Sequence, residues 1–229
     1  MLNKKTGQKL TVGLTALTLT TLLSASSLAQ TVIYDNSETL TNFRTDEPNG
    51  TAYGDFAIFS GTDRTLTTFQ FDYFLSTGNS GNEMAQVNFY ALNGTTPGAL
   101  LYTSSPFEIT SNRTPIGFGQ RQIGDLSLTV PDSVAWTVTF TGLEGTEGAG
   151  LLFATDSNGP GANPTFLDPT LGTQQHFTAR RETDGSWTLL NTDGVEDNLS
   201  VRFTAVPEPT TFALMLGGLA VFGLARRRK

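Results

Sequence analysis

The side chains in this chain that are equipped to bind or react are mostly oxygen donors, and they gather in loops. Asp156 and Asn158 lie in D-S-N-G-P-G-A-N-P, and Asp193, Glu196, Asp197 and Asn198 in N-T-D-G-V-E-D-N just before the last strand-like segment. Hard cations take several oxygen ligands, so these six residues are the candidate calcium ligands, and calcium is the one cofactor the sequence suggests. No complete twelve-residue EF-hand pattern accompanies them. Asp-Gly and Asn-Gly pairs also form turns because they tolerate positive φ, and that role fits these residues better than ligation.

Other chemistries find less support. The chain has one histidine, His176, and no cysteine, which removes the usual zinc sites, disulfides and thiol nucleophiles. A Ser-His-Asp triad would need His176, yet no G-x-S-x-G elbow surrounds any serine, and H-F-T-A-R reads as an ordinary strand; no catalytic residue is assigned. A glycosidase needs two carboxyl groups facing across a groove. Glu83, Glu108, Glu144 and Glu147 are the candidates, and nothing in their spacing makes any two converge. Glycan stacking would draw on Tyr34, Tyr53, Tyr90, Tyr102 or Trp187, with Trp136 assigned to the core, although burial accounts for each of them more readily. Asn93, Asn112 and Asn198 are formal matches to the N-x-Ser/Thr sequon and carry little weight by themselves.

These residues must be held by β structure. From Gln30 onward short alternating runs are broken by Gly, Asn, Asp and Pro, the pattern of antiparallel strands. Strands are expected over Thr31 to Tyr34, Ala57 to Phe59, Leu66 to Leu75, Gln86 to Leu92, Phe107 to Thr110, Gly117 to Ile123, Asp125 to Val130 and Ala135 to Leu143. Four more are expected over Leu151 to Ala154, His176 to Arg180, Ser186 to Leu190 and Leu199 to Thr204. Phe69, Phe71, Tyr73 and Leu75 share one face of the third, and Trp136, Val138 and Phe140 one face of the clearest. Asn93-Gly94 and Pro97-Gly98 turn a hairpin between Asn88 and Tyr102. Thr155 to Gln175 reads as a long loop, and Asp46 to Gly50 as another. Without helical periodicity or internal repeat, the expected fold is all-β, a two-layer antiparallel β-sandwich of jelly-roll type.

Both ends lie outside that domain. Lys4, Lys5 and Lys9, an apolar run from Leu10 to Leu23, and Ser27-Leu28-Ala29 describe a signal peptide over residues 1–29, cut between Ala29 and Gln30 by signal peptidase after passage through the Sec translocon. At the other end, residues 206–229 comprise Pro207-Glu208-Pro209, a neutral run from Thr210 to Ala225, and Arg226, Arg227, Arg228 and Lys229. Sixteen residues span about 24 Å as a helix, short of a ~30 Å hydrocarbon core by an amount that snorkelling arginines cover. The positive-inside rule puts the basic end in the cytoplasm and everything before Pro207 on the far side.

This order of Pro-Glu-Pro, short apolar run and terminal arginines resembles the PEP-CTERM sorting signal of Gram-negative and related bacteria. The resemblance implies a precursor held at the inner membrane until an exosortase-type enzyme recognises Pro207, Glu208 and Pro209 and passes the protein to the envelope or extracellular matrix, with Arg226 to Arg228 as the stop. The hairpin over Asn88 to Tyr102 also resembles an element of exported β-sandwich domains that carry this tail.

Between the two ends, residues 30–205 hold seven arginines, no lysine and twenty acidic residues, a net charge near −13 against −7 for the whole chain. Such a domain repels nucleic acid and stays soluble outside the cell. The expected function is therefore that of a non-enzymatic exported surface or matrix protein, structural or adhesive, with extracellular polysaccharide as the candidate partner. The alternatives are a secreted hydrolase acting on polysaccharide and a calcium-dependent adhesion module.

Overall fold

A computed structural model describes residues 29–37, 40–45, 48–76, 81–110, 117–155, 167–173, 178–182, 184–190 and 198–207. Residues 1–28 of the expected signal peptide, the apolar run of the tail and His176 lie outside them. Alternation of apolar and polar residues yields strands, and the described residues form β1 (Thr31–Asp35), β2 (Leu40–Arg44), β3 (Ala52–Ile58), β4 (Thr65–Leu75), β5 (Met84–Asn93), β6 (Thr96–Thr103) and β7 (Phe107–Glu108). They continue with β8 (Gly117–Ile123), β9 (Leu128–Thr129), β10 (Ser133–Thr141), β11 (Ala149–Ala154), β12 (Thr178–Arg181), β13 (Trp187–Leu190) and β14 (Val201–Val206). No helix occurs among the described residues, and none there is long and apolar enough to cross a membrane.

The strands make two antiparallel sheets. The first runs β1-β14-β4-β11-β2, with β8 and β9 on the other side of β4. The second runs β13-β12-β3-β10-β5-β6, with β7 beside β5. Their inner faces supply the aromatic core that the sequence anticipates: Phe69, Phe71, Tyr73 and Leu75 of β4, Phe203 of β14, Phe89 of β5 and Trp136, Val138 and Phe140 of β10 are all buried. Phe69 ties the sheets together, its ring centroid 4.7 Å from Phe203, 5.3 Å from Trp136 and 5.2 Å from Phe89. Tilted and edge-on rings at such distances add to what burial alone provides.

Several strand bounds differ from expectation by a few residues, the span Asp125 to Val130 keeping only Leu128–Thr129 as strand, and three departures have visible reasons. β2 lies where the sequence suggests no strand, because L-T-N-F-R is short and shows little alternation; it forms the edge of its sheet against β11, with Leu152 opposite Arg44. β3 begins at Ala52 rather than Ala57, its pattern obscured by Gly54 and Asp55, both poor strand formers. Gly54 is required, since a Cβ there would lie 1.8 Å from the Trp136 carbonyl oxygen of neighbouring β10. The buried Asp55 carboxylate accepts hydrogen bonds from the amides of Phe56 and Leu199. Finally, the expected loop from Thr155 to Gln175 is fixed where it is described: Leu171 bridges to Asp35 and Thr173 to Ile58, so residues 171–173 stitch the two sheets along one edge.

The second sheet is also coiled enough that its opposite edge strands, β13 and β6, approach within 8 Å, Cα to Cα. Its outer face thereby encloses a small cluster of its own, Phe56, Tyr90, Ala135 and Ala179, against which Trp187 and Leu189 pack.

Candidate functional site: the strand that carries the tail

β14 alternates as a strand with one buried face should: Val201, Phe203 and Ala205 are buried, and Arg202, Thr204 and Val206 half-buried. It is bonded on both sides, with Thr31 of β1 opposite Ala205 and Thr65 of β4 opposite Val206. The ladder stops at Pro207, which has no N–H to donate. The sorting residues therefore start at the first position beyond the sheet. Pro207 is half-buried, and Ala29 and Gln30, flanking the expected signal-peptide cut, are exposed. Glu208, Pro209 and Arg226 to Arg228 lie outside the described residues.

Charged groups brace this strand. Arg202 bonds the Asp35 carboxylate of β1, Nη2 to Oδ2 at 2.6 Å, and Ser37 donates to the same carboxylate through its hydroxyl and amide. Partial burial pushes Asp35 up, but the Arg202 and Ser37 hydrogen bonds together with the guanidinium charge outweigh it and hold the carboxyl below its ordinary 3.8. Just before β14, Ser200 donates to the buried Asp72 of β4, which also accepts from Gln120 Nε2 at 3.1 Å. Burial dominates there and raises Asp72 above 3.8 against those hydrogen bonds and the Arg202 charge.

The two shifts act in separate pH windows. Folded Asp72 holds its proton more tightly than the unfolded chain does, so it favours folding below pH 3.8 and that contribution is lost as pH rises through the raised value. Asp35 works the other way, its contribution present above 3.8 and lost as pH falls through the lowered value. We expect the stability of Asp72→Asn, relative to the parent, to increase as pH rises from 3.8 and then level off. Urea unfolding across that range measures it, and a difference that does not change with pH refutes it.

Of the calcium candidates, only Asn198 is described. It is fully buried, and its Nδ2 donates to the Leu167 carbonyl at 2.6 Å. Asp156, Asn158, Asp193, Glu196 and Asp197 lie outside the described residues, among which no group of three or more acidic or histidine side chains is placed to hold a metal. The carboxylates first considered for hydrolysis lie around one corner, Glu108 opposite Met84 and Gly142 against the Glu83 backbone, but in unlike settings. Glu83 is 2% exposed, with Oε2 accepting from the Gly81 amide and Oε1 unpartnered. Glu108 is exposed on β7, and Glu147 accepts from the Glu144 amide within one turn. Asn93 is exposed at its hairpin, and Asn112 lies outside the described residues.

Among the aromatics, Tyr34, Tyr53 and Tyr90 are buried with Trp136, and Tyr102 stacks on Phe89 at 5.5 Å. Trp187 remains partly open at the edge of the second sheet, edge-on to Tyr90 at 5.0 Å. The exposed Arg181 places its guanidinium 5.9 Å from the Trp187 ring and donates to the Tyr90 hydroxyl at 3.4 Å. Periodicity does not reveal this grouping, because it depends on the coiling of the sheet.

Residues 205–229 match the family model of the PEP-CTERM protein-sorting motif, so the match overlaps the last two residues of β14. The chain carries the sorting motif of exosortase substrates, which implies an exported, membrane-anchored precursor processed by an exosortase-type enzyme. No curated protein matches the chain. Among solved structures it is similar to the crystal structure of the infectious bursal disease virus VP2 subviral particle, at 14% identity over 81% of this chain and 43% of that chain, with a TM-score of 0.26. It is also similar to the T13 particle of the same virus, at 13% identity over 80% of this chain and 40% of that one, with a TM-score of 0.25. The chain spans less than half the length of either.

Proposed function

We propose that this chain is a non-enzymatic surface or matrix protein. A signal peptide exports its β-sandwich, residues 206–229 anchor it at the inner membrane, and an exosortase-type enzyme then passes it to the envelope or extracellular matrix. The observation that carries the reading is the sorting motif joined without a spacer to an inner strand of the sandwich. A protein destined for a matrix benefits from a rigid body and an acidic surface that keeps it dispersed.

Polysaccharide is the partner favoured by the second sheet's edge. Trp187 offers part of an aromatic face of the kind sugar rings stack on, and Arg181 beside it supplies fixed donors for hydroxyl groups. Glycan-array screening of the purified mature domain tests this. The expected result is retention of extracellular polysaccharides by the parent domain, lost in Trp187→Ala and weakened in Arg181→Ala. A parent domain that retains no glycan above background overturns the adhesive reading and leaves a structural one.

A further inference from the structure

Residues 30–205 contain no lysine, since Lys4, Lys5, Lys9 and Lys229 all lie in the two targeting segments. The departure of residues 1–29 creates one further primary amine, the α-amine of Gln30. Glutamine in that position is chemically unlike other residues, because its own carboxamide carbon, Cδ, lies where attack by the α-nitrogen closes a five-membered ring. Holding the two reacting groups in one residue replaces a bimolecular encounter with an intramolecular step.

The structure leaves both groups free to meet. Gln30 is exposed and precedes Thr31, the first residue of β1, whose pairing with Ala205 opens the β1–β14 ladder. The next step of that register brings Gln30 beside Val206, about 5 Å away across one strand spacing. Val206 is half-buried and apolar, so its side chain gives an ammonium nothing to pair with. The sheet therefore fixes the chain up to Thr31 and holds neither the new amine nor the carboxamide of the residue before it.

We infer that Gln30 is a modification site at which the mature chain closes its own amino terminus. The α-nitrogen bonds to Cδ, the bond from Cδ to the carboxamide nitrogen breaks, and that nitrogen leaves as ammonia with the proton given up by the amine. No oxidant or co-reactant enters. The lactam keeps the peptide bond to Thr31, and with it the ladder, and it puts a neutral group beside Val206 in place of an ammonium. Once the tail with Lys229 has gone as well, the domain presents no primary amine. Reducing sugars condense with primary amines, so in the matrix proposed above the domain offers them no such group. It is also closed to aminopeptidases, which need a free α-amine.

This inference rests on the signal-peptide reading, and the two fail differently. The full chain is expressed in cells that export it, as the parent and as Gln30→Ser, which cannot form the lactam. Cells and medium are quenched together in formaldehyde and cyanoborohydride, which dimethylate a free amine before it can close during handling. Mass spectrometry then reads the tryptic peptide 30–44, which ends at Arg44. The parent peptide should be one ammonia lighter than the linear sequence and carry no label at its terminus, whereas the Gln30→Ser peptide should keep its full mass and be dimethylated. A parent peptide that retains its ammonia and carries the label in most molecules overturns the inference and leaves the signal-peptide reading standing. A terminus at any other residue overturns the cut between Ala29 and Gln30, and the inference with it.

Discussion

Replacing Phe203 by alanine is expected to destabilise the domain by about 3–5 kcal/mol, the range for truncating a large buried aromatic side chain. Phe203 is fully buried at the crossing of both sheets. Its ring lies 5.9 Å from Tyr34 and 4.7 Å from Phe69 in its own sheet, and 5.1 Å from Phe59 and 5.8 Å from Phe89 on the opposite side. Each neighbour is held by its own strand or its continuation, so the space left behind cannot close. Since single domains of this kind are stable by about 5–15 kcal/mol, the loss removes a large part of the total. In urea the midpoint should fall with the slope unchanged. Thr204→Ala, on the outward face of the same strand, should stay within about 0.5 kcal/mol of the parent. A Phe203→Ala variant as stable as Thr204→Ala would show that the two aromatic faces do not pack as described.

Phe203 also marks what was readable in the sequence. Where apolar and polar residues alternate over seven or more positions, as in Leu66 to Leu75 and Ala135 to Leu143, the strand and its inward face follow from the period of two, although Asp72, Phe74, Ala135 and Thr137 on the other face are buried as well. Where alternation is interrupted for a tertiary reason, it fails. Gly54 serves the close approach of β10 in its own sheet, and Asp55 accepts the Leu199 amide from across 144 positions, so neither residue looks like strand until those partners are in place. The sorting motif was legible for the opposite reason, since a membrane enzyme must read it as linear sequence. The closeness of Gln30 to Val206 was not legible, because β1 and β14 stand at opposite ends of the chain and only their pairing brings them together. The grouping of Arg181, Tyr90 and Trp187 was hidden in the same way by the coiling of the second sheet.

Deleting Pro207 to Lys229 is expected to convert a membrane-retained protein into a freely soluble exported one without harming the fold. The ladder ends at Val206 and the buried core at Ala205, so the deletion removes no residue that either sheet uses among the described ones. The melting temperature should therefore remain that of the parent's mature domain. Localisation should change completely. An apolar span with a basic stop inserts in a way that shorter lipid anchors do not match, whereas the domain left behind carries seven arginines against twenty acidic residues and has no attraction for anionic lipid. Fractionation followed by alkaline extraction of membranes distinguishes the outcomes. A second truncation, from Val201, supplies the contrast: it removes the strand between β1 and β4, exposes Phe69 and Phe71, and should give an unfolded chain. Membrane association that survives the shorter deletion would mean that residues before Pro207 hold the protein there, and the tail would lose its role as anchor.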